Sequence, residues 1–205
     1  MSGRCFLFGA LPVTRMPDAP DRGDYIIAAD RGYDVAVSLG ITPDLVVGDF
    51  DSRGSAPKVE NLVRLPVRKD ETDIAHALAL AFDRGWRSFI VYGASGGKAD
   101  HTFANIQLAC DIARRGGRAI FYGETSFTVI RNASLTLPES SSGRVSVFSM
   151  TECSRGVVLR GLSYTMDGGT LSRYTPTGVS NAFIGKQAEI SVRDGELLVM
   201  WQTGA

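Results

Sequence analysis

The sequence predicts an α/β plus all-β fold: an N-terminal doubly wound, mainly parallel α/β domain at residues 1–125, followed by a small C-terminal β-sandwich at residues 126–205. Up to about residue 122, short continuous apolar runs alternate with longer helical stretches. Strands that are covered on both faces of a parallel sheet have this continuous apolar character. Beyond that point, short strand-like runs are broken by Gly, Ser, Pro and Asp without any helical stripe, which favours a sandwich.

Six apolar runs and four helical stretches make up the predicted α/β domain. The strands are predicted at residues 5–8, 25–29, 45–47, 62–67, 88–92 and 119–122. The helices are predicted at residues 32–39, 56–61, 72–84 and 102–115. The third helix has a clear pattern, because Ile74, Leu78 and Phe82 recur every four residues. Thr72 is placed to cap its start, and Gly85 to end it.

The predicted sandwich contains short strands separated by turn residues. They are predicted at residues 127–131, 134–137, 145–149, 156–160, 188–192 and 197–201. A unit of this size buries only a modest core, so we expect it to pack against the first domain or against a second subunit.

Composition excludes several classes of partner. The chain has 205 residues, and its 22 Lys and Arg balance its 22 Asp and Glu. Because no global charge attracts nucleic acid or an anionic membrane, we expect neither as a partner. No apolar run reaches the roughly 18 residues of a membrane span. The three cysteines are widely spaced without a C-x-x-C pair, which indicates reduced thiols and a cytoplasmic location.

Four predicted strands end in polar segments that differ from ordinary turns. These segments are residues 30–32, 48–52, 68–73 and 93–101. In an open α/β sheet, ligands bind outside the carboxyl ends of the strands. If the sheet prediction holds, acidic groups, lysines and a glycine-rich turn therefore meet in one crevice at one edge.

Asp49 and Asp51 are the candidate metal ligands. On extended backbone, side chains two residues apart leave on the same side, so these carboxylates can share a cation. Magnesium is usually held by one or two carboxylates and completed by substrate phosphates. The alternative is a strand followed by an acidic turn. His76 and His101 are the only histidines and no cysteine cluster accompanies them, so zinc is not expected.

The glycine-rich turn and two lysines are candidates for binding phosphate. Gly93, Gly96 and Gly97 allow backbone amides to approach an anion at a helix N-terminus, although a loop that needs positive φ angles is the better explanation for the glycines taken alone. The turn is not a Walker P-loop, because Lys98 is followed by Ala99. Lys69 and Lys98 can pair with phosphate oxygens or simply be solvated.

Asp73 lies in the first turn of one predicted helix, and Asp100 and His101 lie at the start of the next. The helix dipole alone is enough to explain an acidic residue at a helix start. The chain has neither a serine nucleophile elbow nor a Cys–His signature, so covalent catalysis has no candidate.

Six segments form a set when they are taken together and in order: Asp30-Arg31-Gly32, Pro43-Asp44, Gly48-Asp49-Phe50-Asp51-Ser52, Lys69-Asp70-Glu71-Thr72-Asp73, Gly96-Gly97-Lys98-Ala99-Asp100-His101 and Gly178-Val179-Ser180-Asn181. This set resembles the thiamine pyrophosphokinase (thiamine diphosphokinase) family, and the resemblance extends from about residue 5 to residue 201. Each segment is modestly specific and the set is jointly specific. Two positions depart from the pattern: Arg31 replaces a glycine or another small residue, and Lys98 replaces the more usual arginine.

The resemblance implies an α/β catalytic domain that binds ATP and Mg²⁺, and a β-sandwich that binds thiamine and forms a homodimer. The active sites would lie between the α/β domain of one subunit and the sandwich of the other. The reaction would transfer a pyrophosphoryl group from ATP to the thiamine hydroxyl, giving thiamine diphosphate and AMP.

The resemblance also implies roles for individual residues. Mg²⁺ would be held by Asp49, Asp51 and Asp73. Lys69 and Lys98 would offset phosphate charge, and Asp73 or Asp100 would accept the hydroxyl proton. ATP would contact Asp30, Arg31, Ser52, Thr72, Gly96, Gly97, Lys98 and His101. Thiamine would be bound by Ser180 and Asn181.

Three other functions explain fewer features of the sequence. A metal-dependent glycosyltransferase explains Asp49 and Asp51, but not residues 69–73 and 93–101 together. A related pyrophosphokinase can act on another alcohol, such as a hydroxymethylpterin, and the segment at Ser180 argues for thiamine instead. A non-catalytic thiamine or nucleotide sensor has little need for so many carboxylates facing a polyphosphate.

Overall fold

The structure is a computed structural model that describes residues 3–50, 57–68 and 70–202. The chain divides into two compact units, Met1–Asn105 with Phe121–Gly123, and Ile106–Ile120 with Glu124–Ala205. The fold class predicted from the sequence, a mainly parallel α/β part and an antiparallel β part, is confirmed. The domain boundary between residues 125 and 126 stays a prediction.

The first unit is built on parallel strands and short helices. Its elements are β1 (Cys5–Phe8), β2 (Tyr25–Ala29), α1 (Gly32–Ser38), β3 (Leu45–Gly48), β4 (Leu62–Arg64), α2 (Asp73–Asp83) and β5 (Ser88–Ser95), followed by the beginning of α3 (Ala99–Arg114) and the end of β6 (Arg118–Gly123). Parallel pairing gives the order β5-β1-β2-β3-β4. Every residue of β1 and β3 is buried, as expected for strands covered on both faces.

Helix α2 shows how the sequence pattern becomes packing. The Thr72 hydroxyl caps it by accepting a hydrogen bond from the Ala75 N–H at 3.2 Å, an interaction that contributes about 1 kcal/mol. Its inward face buries Leu78 and Phe82, and the Phe82 ring stacks on Phe89 of β5 at 5.3 Å. Burying one such aromatic side chain stabilises the fold by roughly 1.5–3 kcal/mol. The capped start of α2 is thereby held against the sheet.

The second unit contains most of the antiparallel strands. Its strands after β6 are β7 (Thr125–Arg131), β8 (Ser134–Leu137), β9 (Arg144–Ser149), β10 (Cys153–Arg160), β11 (Met166–Ser172), β12 (Asn181–Ala182), β13 (Ala188–Ser191) and β14 (Glu196–Gln202). Within this unit, antiparallel pairing gives the strand orders β12-β9-β14-β7 and β11-β10-β13-β8. Burial alternates along β9, as expected for a strand with one face in a core.

Several local predictions differ from the structure: the strands predicted at residues 62–67, 88–92 and 156–160 have other bounds, β12 was not predicted, and three further differences have a clear reason. The helix predicted at 56–61 is wrong, because residues 57–61 are not helical and Asn61 instead accepts a hydrogen bond from the Val46 N–H at 3.0 Å. Helix α3 begins at Ala99, three residues before the predicted start. Strand β11 was not predicted, because it contains Gly168 and Gly169 and is largely exposed. Within the described ranges, no helix has the length and apolar character needed to cross a bilayer.

Candidate active site at the carboxyl ends of the parallel strands

The ends of β2 and β3 bring Asp30 next to the segment that carries Asp49. The Asp30 N–H donates to the carbonyl oxygen of Val47 at 2.7 Å. The Cα of Asp30 lies 3.0 Å from the position that a Cβ on Gly48 would occupy, so only glycine fits there without displacement. One carboxylate oxygen of Asp30 is shielded from solvent. The predicted convergence of these two strand ends is therefore present.

The backbone after β3 is not extended, so the reason given for pairing Asp49 with Asp51 is wrong. The strand ends at Gly48, and Phe50 has a φ of 60° in the left-handed region. The Phe50 ring is buried against Ala28 and Val46, in agreement with the rule that an unusual backbone conformation persists where the surroundings are well packed. Asp51 and Ser52 lie outside the described residues.

Asp73 reaches the same edge from the start of α2. The Ile74 Cδ1 atom lies 3.1 Å from the position of a Cβ on Gly9, and Gly9 directly follows β1. One carboxylate oxygen of Asp73 is buried. Thr72 uses its hydroxyl as the helix cap, and its expected contact with ATP stays a prediction. Lys69 lies outside the described residues.

The glycine-rich turn begins at Gly93, near the end of β5, continues beyond that strand, and has the backbone geometry that only glycine adopts readily. Gly93, Gly96 and Gly97 have φ angles of 67°, 104° and 66°. A Cβ on Gly93 would lie 2.6 Å from the carbonyl oxygens of Gly9 and Leu11, so this turn is packed closely against the chain that follows β1.

Two side chains of α3, not anticipated from the sequence, hold this turn. The Thr102 hydroxyl accepts from the Gly96 N–H at 3.3 Å and donates to the Gly96 carbonyl at 3.1 Å. The buried Asn105 amide donates to the Ala94 carbonyl at 2.6 Å. Residues three apart on a helix share a face. The spacing of Thr102 and Asn105, directly after a glycine-rich turn, could therefore have indicated from the sequence that both side chains contact the turn.

Other predicted nucleotide contacts lie at exposed helix starts. Lys98, Asp100 and His101 are exposed at the beginning of α3, where Asp100 Oδ1 accepts from the His101 N–H at 2.8 Å. Arg31 is the exposed N-cap residue of α1, and its side chain makes no capping hydrogen bond. Their contacts with ATP stay predictions.

The oxygen donors at this edge fit a hard cation. Among the described residues, no three Asp, Glu, His or Cys side chains are close enough to form a metal site by themselves. Asp30, Asp49 and Asp73 nevertheless offer carboxylate oxygens, which magnesium prefers, and magnesium sites of this kind are usually completed by substrate phosphates and water.

The two predicted thiamine residues differ in orientation. Ser180 is exposed, has a φ of 59°, and donates its backbone N–H to Ser146 Oγ at 3.1 Å. The buried Asn181 amide instead accepts from the N–H groups of Tyr164 and Ala182, at 2.8 and 2.9 Å, and donates to the Tyr164 carbonyl at 2.7 Å. Asn181 therefore anchors Tyr164, and a direct contact with thiamine stays a prediction.

A cleft lies in the second unit beside this segment. It has a volume of about 40 Å³, and its lining includes Phe148, Arg173, Pro176 and Gly178. Gly178 is required for close packing, because its Cβ would lie 2.0 Å from the Val147 carbonyl oxygen. Small-molecule sites usually enclose roughly 300–1,000 Å³, so this cleft is small for a complete site.

Sequence comparisons match two families in succession. The family described as "Thiamin pyrophosphokinase, catalytic domain" matches residues 18–121, just over half of the chain, and "Thiamin pyrophosphokinase, vitamin B1 binding domain" matches residues 134–197. A curated relative, thiamine pyrophosphokinase from Bacillus subtilis (strain 168), is 34% identical over 88 residues. That alignment covers 40% of this chain and 41% of the relative, less than half of its length.

Structure comparisons identify the same fold in three organisms. The Bacillus subtilis thiamine pyrophosphokinase structure has a TM-score of 0.83 at 22% identity, with 100% of both chains covered. The Geobacillus thermodenitrificans thiamin pyrophosphokinase has a TM-score of 0.78 at 24% identity, covering 99% of this chain and 98% of that one. The Candida albicans thiamin pyrophosphokinase has a TM-score of 0.74 at 14% identity, covering 97% and 88%.

Proposed function

The chain belongs to the thiamin pyrophosphokinase family, and from that premise we propose that it transfers the pyrophosphoryl group of ATP to the hydroxyl of thiamine. The products are thiamine diphosphate and AMP. The observation that carries the proposal is the meeting of Asp30, Gly48 and the neighbouring Asp49 at adjacent strand ends, inside the region that matches the catalytic family. The match to the vitamin B1 binding domain at residues 134–197 favours thiamine over a hydroxymethylpterin, and the match to the catalytic domain at residues 18–121 favours an enzyme over a sensor.

The chemistry is an in-line displacement at the β-phosphorus of ATP. The thiamine hydroxyl oxygen forms the new P–O bond, the bond between the β-phosphorus and the bridging oxygen of AMP breaks, and AMP leaves with that oxygen. Asp73 or Asp100 accepts the hydroxyl proton. Positioning and charge stabilisation supply most of the acceleration in such reactions, so the residues at the strand ends act mainly by holding ATP in line.

We assign phosphate binding to backbone amides and lysines. The backbone N–H groups near Gly96 and Gly97, at a helix start, suit phosphate oxygens, and Lys69 and Lys98 add positive charge. Asp49, Asp51 and Asp73 would hold Mg²⁺, which would offset the negative charge of the polyphosphate when ATP is bound. Asp30, Arg31, Ser52, Thr72 and His101 complete the proposed nucleotide contacts.

Thiamine binding is assigned to the second unit and to a homodimer. Ser180 presents an exposed hydroxyl, and the neighbouring cleft is small for a whole ligand. We therefore place thiamine at a site that a second subunit completes, with Ser180 and Asn181 on the thiamine side. Cys5, Cys110 and Cys153 are free thiols, which suits a cytoplasmic enzyme.

An assay of AMP release separates these proposals from the alternatives. The purified chain is given ATP and Mg²⁺, with thiamine, with a hydroxymethylpterin, or with no acceptor. We expect AMP only when thiamine is present, in equal amount to thiamine diphosphate. AMP release with the pterin alone would identify the other alcohol as substrate, and thiamine binding without AMP release would identify a sensor.

A further inference from the structure

The chain between β1 and β2 is a long loop that begins against the glycine-rich turn. The Gly9 N–H donates to the Tyr92 carbonyl at 2.7 Å, and the Leu11 N–H donates to the Gly93 carbonyl at 3.1 Å. These bonds continue the pairing of β1 with β5 beyond the end of β1. A Leu11 methyl carbon lies 3.1 Å from the position of a Cβ on Gly97. The first part of the loop is therefore adjacent to the turn assigned to phosphate.

Asp18 fastens the middle of the same loop. Its carboxylate accepts from Arg4 Nη1 at 2.9 Å and from the Tyr122 hydroxyl at 2.7 Å. Its backbone N–H donates to the Tyr92 hydroxyl at 3.0 Å, and that hydroxyl donates to the Asp18 carbonyl at 2.7 Å. Asp18 thus binds residues near the carboxyl ends of β5 and β6 through both its side chain and its backbone.

The two tyrosines form a rigid support for these bonds. Tyr92 is buried and stacks between Phe8 and Tyr122, with ring centroids 5.7 and 5.2 Å apart. Burial raises the pKa of Tyr92 to about 12. Burial and the hydrogen bond to Asp18 also raise the pKa of Tyr122. Both hydroxyls therefore remain protonated near neutral pH and can donate to Asp18.

We propose that Asp18 is a positioning residue for nucleotide binding, because it holds residues 10–17 beside the glycine-rich turn as one wall of the crevice that receives the ATP polyphosphate. This inference rests on the proposed function. Asp18 acts through the loop and not on the reacting atoms. The loop is anchored at one end by Gly9 and Leu11 and at the other by Asp18, so releasing Asp18 loosens the part of the wall between Leu11 and Asp18.

The test compares two tyrosine hydroxyls. Tyr122→Phe removes one donor to Asp18 and leaves the ring in place. Tyr25→Phe removes a hydroxyl that accepts a hydrogen bond from Arg84 at the opposite, amino end of β2, and serves as the matched control. The measurements are amide hydrogen exchange in residues 9–17, the Kd for ATP without thiamine, and the KM values and kcat.

With Tyr122→Phe, we expect faster exchange in residues 9–17 and a rise of about tenfold to a hundredfold in the Kd and KM for ATP, the size expected from losing one hydrogen bond to a charged acceptor. The KM for thiamine and kcat should stay within about twofold. Tyr25→Phe should change none of these values. Unchanged exchange in residues 9–17, or unchanged ATP affinity, would overturn the inference.

Asp18→Asn provides a second variant if Tyr122→Phe fails to fold. The asparagine keeps an oxygen for the Tyr122 hydroxyl and both backbone bonds to Tyr92, but loses the charge that faces Arg4, so a smaller loss of ATP affinity is expected. Exchange and ATP binding do not require turnover. If the wild-type chain bound ATP but made no thiamine diphosphate, the proposed function would fail while these two measurements still decided the role of Asp18.

Discussion

Asp30 lies directly against Gly48, with its Cα 3.0 Å and its backbone nitrogen 3.2 Å from the position of a Cβ on that glycine. Two adjacent parallel strands thereby end in contact, and the Asp49 segment follows immediately. Asp30 has a φ of 48°, a conformation that a non-glycine residue adopts at a cost. Such backbone strain is concentrated at functional sites, which agrees with a catalytic edge here.

A methyl group on Gly48 should disturb catalysis more than folding. Gly48→Ala must push Asp30 away by a few tenths of an ångström, and we expect kcat/KM to fall about tenfold, because small misplacements of reacting groups are costly. Steady-state kinetics and thermal unfolding measure the two effects. Gly40→Ala is the control: it has open space but a φ of 74°, so it should cost about 1 kcal/mol of stability without changing kcat/KM. Equal kinetic losses in both variants would contradict the account.

Removing the Thr102 hydroxyl should loosen the glycine-rich turn. Thr102→Val keeps the shape of the side chain but loses the bonds to Gly96, and we expect the KM for ATP to rise about fivefold, as for a net hydrogen bond of about 1 kcal/mol. Thr128→Val removes a buried hydroxyl that donates to the Ala119 carbonyl at 2.6 Å in the second unit. This control should lower stability and leave the KM for ATP unchanged. A normal KM for ATP in Thr102→Val would show that the turn does not depend on this hydroxyl.

Ser180 and Asn181 should have separable roles. Ser180→Ala removes an exposed hydroxyl, so we expect a higher KM for thiamine and an unchanged Tm. Asn181→Ala removes three hydrogen bonds from a buried position and should lower the free energy of unfolding by about 2–4 kcal/mol. Thermal unfolding and thiamine kinetics distinguish the two. If Asn181→Ala kept the wild-type Tm and raised only the thiamine KM, the anchoring role would be wrong.

The protein should lose stability in alkaline solution. Burial raises the pKa of Cys5 from 9.0 to about 12 and that of Tyr92 from 10.0 to about 12. The unfolded chain releases these protons at lower pH than the folded chain, so the stabilising contribution is complete below pH 9 and is lost as pH rises to about 12.

Urea unfolding at several pH values from 8 to 11 measures this trend, and we expect the midpoint to fall as pH increases. Cys5→Ala removes one of the two groups, so its midpoint should depend less on pH between 9 and 11. A midpoint independent of pH in the wild-type chain would contradict the assigned shifts.

Elements with strong local signals were predicted well. The structure matches the predicted bounds of β1, β2 and β8, and α2 starts at the cap that Thr72 forms. In these elements, the secondary structure that the local sequence favours is the same as the one that packing in the fold requires. Strand β11 has no such local signal. It is a strand because it pairs with β10, and not because of its own apolar content.

The arrangement within the site depended on tertiary contacts that a sequence pattern does not contain. Polar residues at strand ends indicated where the site lies. The left-handed backbone at Phe50 accompanies the burial of its ring against Ala28 and Val46, and the inward orientation of Asn181 accompanies its hydrogen bonds to Tyr164. Similarly, Asp18 and Tyr122 are more than a hundred residues apart in the sequence, so no local spacing predicts their hydrogen bond.

The central claim is tested most directly by the fate of the phosphates. The chain is incubated with thiamine and with ATP labelled at the β-phosphate, and the products are separated and quantified. Asp49→Asn is the site variant, and Asp194→Asn, at an exposed position, is its control. We expect the label to appear in thiamine diphosphate with an equal amount of AMP, in the wild type and Asp194→Asn but not in Asp49→Asn. Label that remains in ADP while thiamine monophosphate forms, or full transfer by Asp49→Asn, would contradict the account.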